Sequence, residues 1–361
     1  MPNQILGFSQ KSPHPRYHGR LLLGLLFGAL FVTLLSACGS SEGTGSTSAP
    51  AAASGGKAVK VGVVTDVGGL NDHGFNALAK QGLEEAEQQL GAEGRLLTSA
   101  TNADYALNLS TLAEQGYELV IGVGFLMTDA VNEVATKFPE TKFAIVDVSQ
   151  SELPSKPSNV EGLVFEEQQA GYLAGYLAGD YAKSKSVKTV SSVGGEKIPP
   201  VDGYIAGYQA GAKAADPSIT TLNGYSQDFA DQAKCKEVAL EQIQQGSGIV
   251  FAVASSCGLG ALDAAREQGV LGIGVDADQG YLGEYILTSA TKKVNVAVLS
   301  TAEEVQKGSF VGGRDHLFDL SNGGVGLGRI SPAGEPYAAA LAKVKKGIED
   351  GSITVPKTLE E

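Results

Sequence analysis

Histidine is scarce: four residues in 361, at 14, 18, 73 and 316, two of them within the first twenty. A multi-histidine metal site or a histidine-centred catalytic apparatus is therefore not expected, and no metal or cofactor is assigned. Positive charge is also short, with 27 Lys and Arg against 40 Asp and Glu and a formal net charge of −13. A chain this acidic is repelled by phosphate backbones, which excludes a general nucleic-acid partner. Motifs that carry chemistry are missing as well. There is no G-x-x-x-x-G-K-[ST] loop, Rossmann glycine fingerprint, H-E-x-x-H or C-x-x-C. An enzyme is accordingly not expected. What is abundant is glycine, 48 residues, about twice the usual ~7%. It has no Gly-X-Y period, so the chain is not collagen-like, and many glycines fall at ends of predicted strands. With 43% hydrophobic and 19% charged residues, the composition is that of a folded protein, and the length suits two domains.

Residues 1–20 hold Lys11, Arg16 and Arg20 and no acid, and Leu21 to Leu35 is an uncharged apolar run. Fifteen residues rise only about 22 Å as a helix, short of a ~30 Å hydrocarbon core, so the run reads as a secretory leader. Leu35-Ser36-Ala37-Cys38 resembles a bacterial lipobox, in which the cysteine is acylated and becomes the new N-terminus. Alternatives are an ordinary secretory cleavage site with Cys38 incidental, or a plain membrane anchor. Residues 39–56 contain no large apolar side chain and read as a flexible tether. Removing the leader takes away three of the 27 cations and none of the 40 acids, which moves the net charge from −13 to −16. Cys235 and Cys257 remain. Two buried thiols behaving as small hydrophobes are the expectation, with a disulfide the alternative in an exported protein.

From Lys57 onward β-branched runs alternate with stretches of helical period, such as Lys57–Thr65 followed by Asn76–Leu90 and Gly248–Val253 followed by Leu259–Glu267. The pattern pauses at the connector SELPSKPS, residues 151–158, and then restarts. It predicts an α/β protein with two lobes of about five strands each, every lobe a parallel sheet flanked by helices, joined by a multi-strand hinge around a cleft. The expected division is a leader at 1–37, a tether at 38–56, a first lobe at 57–163 plus 288–320, and a second lobe at 164–287 plus 321–361.

Ligands of such sheets bind beyond the carboxyl ends of the strands. The loop Thr65–Asn76 offers two carboxylates, two amides and one aromatic after the first strand, with Asp66 and Asp72 unsuited to phosphate. Asp72 or Asn71 alternatively caps the following helix. Phe229 follows a predicted strand, and Asp276 ends the strand Gly272–Val275. Asp129 is either a cleft residue or a first-turn helix charge.

Here the residues resemble a known family. VGVVTDVGGLNDHGFNALAKQGL resembles the opening of the basic membrane protein family, bacterial substrate-binding lipoproteins of ABC transporters. Further segments match in order: Ile121–Phe125, Asn159–Gly162, Ser192–Gly195, Phe229–Asp231, Ile273–Gln279, Leu287–Lys292 and Gly323–Leu327. The resemblance implies a type I periplasmic-binding-protein fold and a nucleoside ligand, most often a purine. It implies that Phe75 and Phe229 sandwich the base, that Asp276 and Lys292 hold the ribose, and that Asp66 and Asn76 meet the polar edge of the base. Ser255, Ser256, Cys257 and Gly258 form a loop for backbone or hydroxyl contacts, where the family usually has glycines.

A membrane-tethered extracytoplasmic receptor follows from this resemblance. It would be anchored through Cys38, monomeric, and would deliver its solute to permease and ATPase subunits. The alternatives in the binding class are a sugar or other small solute, or a surface receptor without transport. A repressor-like sensor would need a DNA-binding helix pair before the first strand, where the leader and tether stand instead.

Overall fold

The computed structural model describes residues 58–359; the leader, Cys38 and the tether lie outside the described residues. Two six-stranded sheets are flanked by helices. The first sheet contains β1 (Lys60–Val64), β2 (Glu93–Leu97), β3 (Leu119–Val123), β4 (Lys142–Val146), β5 (Val160–Phe165) and β11 (Arg314–Phe318), ordered β11-β5-β4-β3-β1-β2. The second contains β6 (Thr189–Gly194), β7 (Thr220–Tyr225), β8 (Ser247–Val253), β9 (Leu271–Asp276), β10 (Ile286–Lys292) and β12 (Val325–Leu327), ordered β12-β10-β9-β8-β6-β7. Every pairing is parallel except β10 with β12. The two orders match over five strands, β5-β4-β3-β1-β2 and β10-β9-β8-β6-β7, and differ at the sixth, where β11 is parallel to its neighbour and β12 antiparallel.

Strands covered on both faces cannot alternate polar and apolar residues. β3 accordingly reads LVIGV and is buried at every position. The helices are α1 (Phe75–Leu90), α2 (Asp104–Glu114), α3 (Thr128–Lys137), α4 (Glu167–Ser184), α5 (Pro199–Ala215), α6 (Gln232–Gln244), α7 (Ser255–Gln268), α8 (Val294–Lys307) and α9 (Ala338–Glu349). Among the described residues no helix is long and apolar enough to cross a membrane.

Part of the glycine excess lies in a helix pair rather than at strand ends. A Cβ on Gly171, Gly175, Gly207 or Gly211 would stand 1.9–2.2 Å from a backbone oxygen of the facing helix. α4 and α5 can approach so closely only because those side chains are absent.

The chain passes between the lobes after β5, after β10 and after β11. The crossing expected at 288 falls after Lys292 instead, because β10 completes the second sheet against β9, and only α8 and β11 return to the first lobe. α8 packs on α1, where a Cβ at Gly82 would meet the Asn295 carbonyl at 2.5 Å. At the crossings, Glu166 N–H donates to the Phe318 carbonyl (2.9 Å) and Lys293 N–H to the Gly324 carbonyl (2.8 Å). Phe165 stacks on Phe318 with centroids 4.8 Å apart.

The expectation of two free thiols is overturned. Cys235 and Cys257 form a disulfide whose Cα atoms lie 5.5 Å apart, joining α6 to the first turn of α7. Both side chains are fully buried between those adjacent helices, where the Cα spacing suits a bond.

Candidate ligand site

A cavity of about 60 Å3 lies where the carboxyl ends of both sheets face one another. Its lining includes Asp66, Phe75, Asp147, Tyr204, Phe229, Ser255, Asp276 and Lys292.

Phe75 is placed by the start of α1. The buried Asp72 carboxylate accepts from the backbone N–H groups of Gly74 (3.1 Å), Asn76 (2.7 Å) and Ala77 (3.1 Å), so it satisfies first-turn donors and fixes the entry angle of the helix. Asp66 Oδ1 accepts from Asn76 Nδ2 (2.6 Å) and Gly68 N–H (2.9 Å). Asp66 Oδ2 lies beside the Phe75 ring: a Cβ on Gly124 would be 3.3 Å from Oδ2 and 3.2 Å from Phe75 Cε1. Burial pushes the Asp66 carboxyl up to about 6 against the bonds from Asn76 and Gly68. Asn76 therefore stands behind Asp66 and orients it, rather than lining the cavity itself.

Lys292 is the last residue of β10, immediately before the chain crosses between lobes. Its Nζ lies 2.8 Å from both Asp147 oxygens, with 2% and 5% side-chain exposure for the two partners. Three rings surround the ammonium, those of Phe75 and Phe165 at 5.3 Å and Tyr204 at 5.4 Å to the centroids, inside cation–π range. Burial opposes its charge, but Asp147, Glu167 and Asp276 outweigh burial and lift Lys292 to about 12. Asp276 and Glu167 go the other way from ordinary carboxylates. Burial raises Asp276 to about 7 and Glu167 to about 8, with Lys292 pulling both down and Asp147 pushing both up. One ammonium faces three carboxyl groups, and of these Asp147 makes the direct ion pair. The Tyr204 hydroxyl donates towards Asp276 Oδ1 (3.2 Å) or the Ala290 carbonyl (3.4 Å).

The structure thus gathers Asp66, Phe75, Phe229, Asp276, Lys292 and Ser255 at one cavity. It leaves three expected residues off it: Asn76, which stands behind Asp66, and Asp129 and Gly258. Asp129 is exposed in the first turn of α3, a helix that starts beyond the cavity wall. Gly258 is buried in α7, its N–H donating to the Ala254 carbonyl at 3.2 Å. Ser255 lines the wall, but its hydroxyl goes to Asp72. Asp147, Glu167 and Tyr204 escaped sequence reading. Asp147 sits within the apolar run KFAIVDV, and its signal was the polar residue that interrupts a buried strand near its carboxyl end. Tyr204 lies mid-helix in α5 and carried no comparable signal.

As for metal ligands, Glu161, Glu304 and His316 bring one ligand-type atom each within 4.8 Å of one another, away from the cavity. Arg314 already pairs with both carboxylates there.

The family model described as ABC transporter substrate-binding protein PnrA-like matches residues 59–360. An ABC transporter nucleoside-binding protein, BmpA, of Lactococcus lactis subsp. cremoris is 33% identical over 90% of this chain and 95% of its own length. An uncharacterised lipoprotein of Pyrococcus abyssi is 32% identical over 93% of this chain and 84% of its own. Among solved structures, an ABC transporter solute-binding protein of Aeropyrum pernix aligns with a TM-score of 0.76 at 25% identity, covering 84% of this chain and 94% of its own. With two matching α/β lobes, a cleft between them and a family match over the whole described body, the chain belongs to the PnrA-like family of ABC transporter substrate-binding proteins.

Proposed function

We propose that the protein binds a nucleoside in the interlobe cavity and presents it to an ABC permease. The observation that carries this reading is one cavity holding an aromatic ring from each lobe, Phe75 and Phe229, together with Asp147, Asp276 and Lys292. Two rings offer flat apolar faces to a base, an arrangement worth about 0.5–1.5 kcal/mol beyond the area it buries. Carboxylate oxygens accept from vicinal sugar hydroxyls while the ammonium donates to them. Asp66 Oδ2, beside the Phe75 edge, is placed to accept from an N–H on the rim of the stacked base. The relative named as a nucleoside-binding protein supports the same ligand class.

The charge balance narrows the ligand further. Asp66, Asp147 and Asp276 line the cavity with a single lysine, so a phosphate group entering here meets net repulsion. The cavity suits a nucleoside and disfavours its nucleotide. Cys38 as the acylated anchor and an extracytoplasmic position are part of the same proposal, supported by the lipobox and by the relative named a lipoprotein. Acyl chains on Cys38 would supply the stable membrane attachment that the described helices cannot.

The test is calorimetry on protein unfolded and refolded to strip bound solute. The titrants are guanosine, inosine, adenosine, cytidine, uridine, ribose and guanosine monophosphate. Nucleoside binding at micromolar strength or tighter, about −8 kcal/mol, with weak ribose and weaker nucleotide, is the expected result. Ribose binding as well as any nucleoside would replace this reading with a sugar receptor.

A further inference from the structure

Three consecutive residues open α7, Ser255, Ser256 and Cys257, and the site as described gives the two serine hydroxyls no part in holding a solute. Ser255 Oγ donates to Asp72 Oδ2 at 3.1 Å, and Ser256 Oγ donates to the Gly68 carbonyl at 2.7 Å. Both acceptors lie in the loop between β1 and α1, so both bonds run from the second lobe to the first. Asp72 takes its other three bonds from backbone N–H groups of its own loop and helix. Ser255 is therefore the donor to this buried carboxylate that comes from across the cleft.

The surrounding geometry serves that approach. A Cβ on Gly68 would lie 2.4 Å from Ser255 Oγ, so the loop can meet α7 only because residue 68 has no side chain. Ser255 has φ of 48°, in the left-handed region, and an L-residue is held there only where its neighbours fix it. Cys257 supplies the anchor. Its disulfide ties the same turn to α6, and its N–H donates to the Phe229 carbonyl at 3.0 Å. The turn that reaches the first lobe is thereby fastened to the loop that carries Phe229.

We infer that Ser255 and Ser256 are positioning residues that form an interlobe latch, anchored by the Cys235–Cys257 disulfide, and that the latch sets how slowly a bound solute leaves. The inference rests on the proposal that the solute is held between the lobes. Both bonds exist only while the lobes are together, so they enter the balance between closed and open forms directly. A solute gripped from both sides leaves through the open form, so the latch acts on release. Association starts from the open form and is little affected.

The experiment uses the full chain and the double variant Ser255→Gly with Ser256→Gly. Glycine removes each hydroxyl and accepts the left-handed backbone at 255 without strain, so folding is not challenged. Hydrogen exchange without added solute is the first readout. Faster exchange confined to residues 68–77 and the first turn of α7, with both sheets unchanged, is expected. The second readout is nucleoside release, expected to quicken about tenfold or more from the loss of two bonds, with association unchanged. Ser256→Thr, which keeps a hydroxyl, should behave as the parent chain does. Unchanged exchange at 68–77, an increase spread evenly through both sheets, or unchanged release would each overturn the latch. If the parent chain binds no nucleoside, the cleft proposal fails, and the exchange readout still decides whether the latch joins the lobes.

Discussion

β4 and β9 hold the same place in their respective sheets, and each delivers an aspartate in the left-handed region at its carboxyl end: Asp147 with φ of 67° and Asp276 with φ of 61°. The backbone device is repeated, and the chemistry is not. Asp147 meets Lys292 directly at 2.8 Å, whereas Asp276 meets the Tyr204 hydroxyl and is raised to about 7 by burial. Topological repetition aims two carboxyl groups at one point between the lobes. The single cation there forms its ion pair with Asp147.

The sharpest way to break this comparison is Lys292→Met. It strands Asp147 as a buried carboxylate without a partner, and unfolding stability should fall by about 3–5 kcal/mol, read by urea denaturation. A loss below one kcal/mol would mean that the pair is not what holds the two lobes' carboxyl groups at this point.

Next in size is the feature that only the second lobe has. Replacing Cys235 and Cys257 by alanine should cost about 3 kcal/mol for a closed loop of this length. Hydrogen exchange should quicken around α6 and α7 and leave the first sheet as it was. An equal response in both lobes would show that the disulfide stabilises the whole body rather than the turn beside Phe229.

The two aromatic walls come third. Phe75→Ala and Phe229→Ala should each weaken nucleoside binding by about 2 kcal/mol, the lower end for deleting a large apolar contact, measured calorimetrically. An unchanged affinity for either variant removes that ring from the site.

A further prediction separates the two aspartates by pH. Asp276 has a folded value of about 7 against an ordinary 3.8, so across that interval the native state binds more protons than the unfolded chain. Stability should therefore fall as pH rises from about 4 to 7, by at most about 1.4 kcal/mol per pH unit for this one group. Asp276→Asn should flatten the slope. Asp147→Asn should flatten it as well, because Asp276 then becomes the counter-ion of Lys292 and loses the repulsion that helped raise it. A slope that survives in both variants would assign the proton uptake to Glu167 or Asp66.

Much of this was legible along the chain. The alternation of buried β-branched runs with amphipathic helices predicts two parallel α/β lobes, and loops at strand ends point to Asp66, Phe75, Phe229 and Asp276. Asp129 was misplaced because an acid in the first helical turn after a cleft strand has the same local pattern whether it faces the cavity or the solvent. Gly258 was misplaced because the register of α7 turns it inward. The lobe boundary slipped because β10 reads as a generic strand, and only its hydrogen bonds to β9 and β12 assign it to the second sheet.

Local periodicity and composition determined the order of strands and helices and the loops at strand ends. Those properties depend on residues close together in the chain, where backbone preference and burial act directly. Tertiary structure alone decided that Asp147 and Glu167 share Lys292 with Asp276, that Cys235 reaches Cys257, and that two serines of α7 bond a loop more than 180 residues earlier. Each of these depends on which groups are brought within a few ångströms by sheet order and lobe closure, and charge, covalent pairing and hydrogen bonding are settled only at that range.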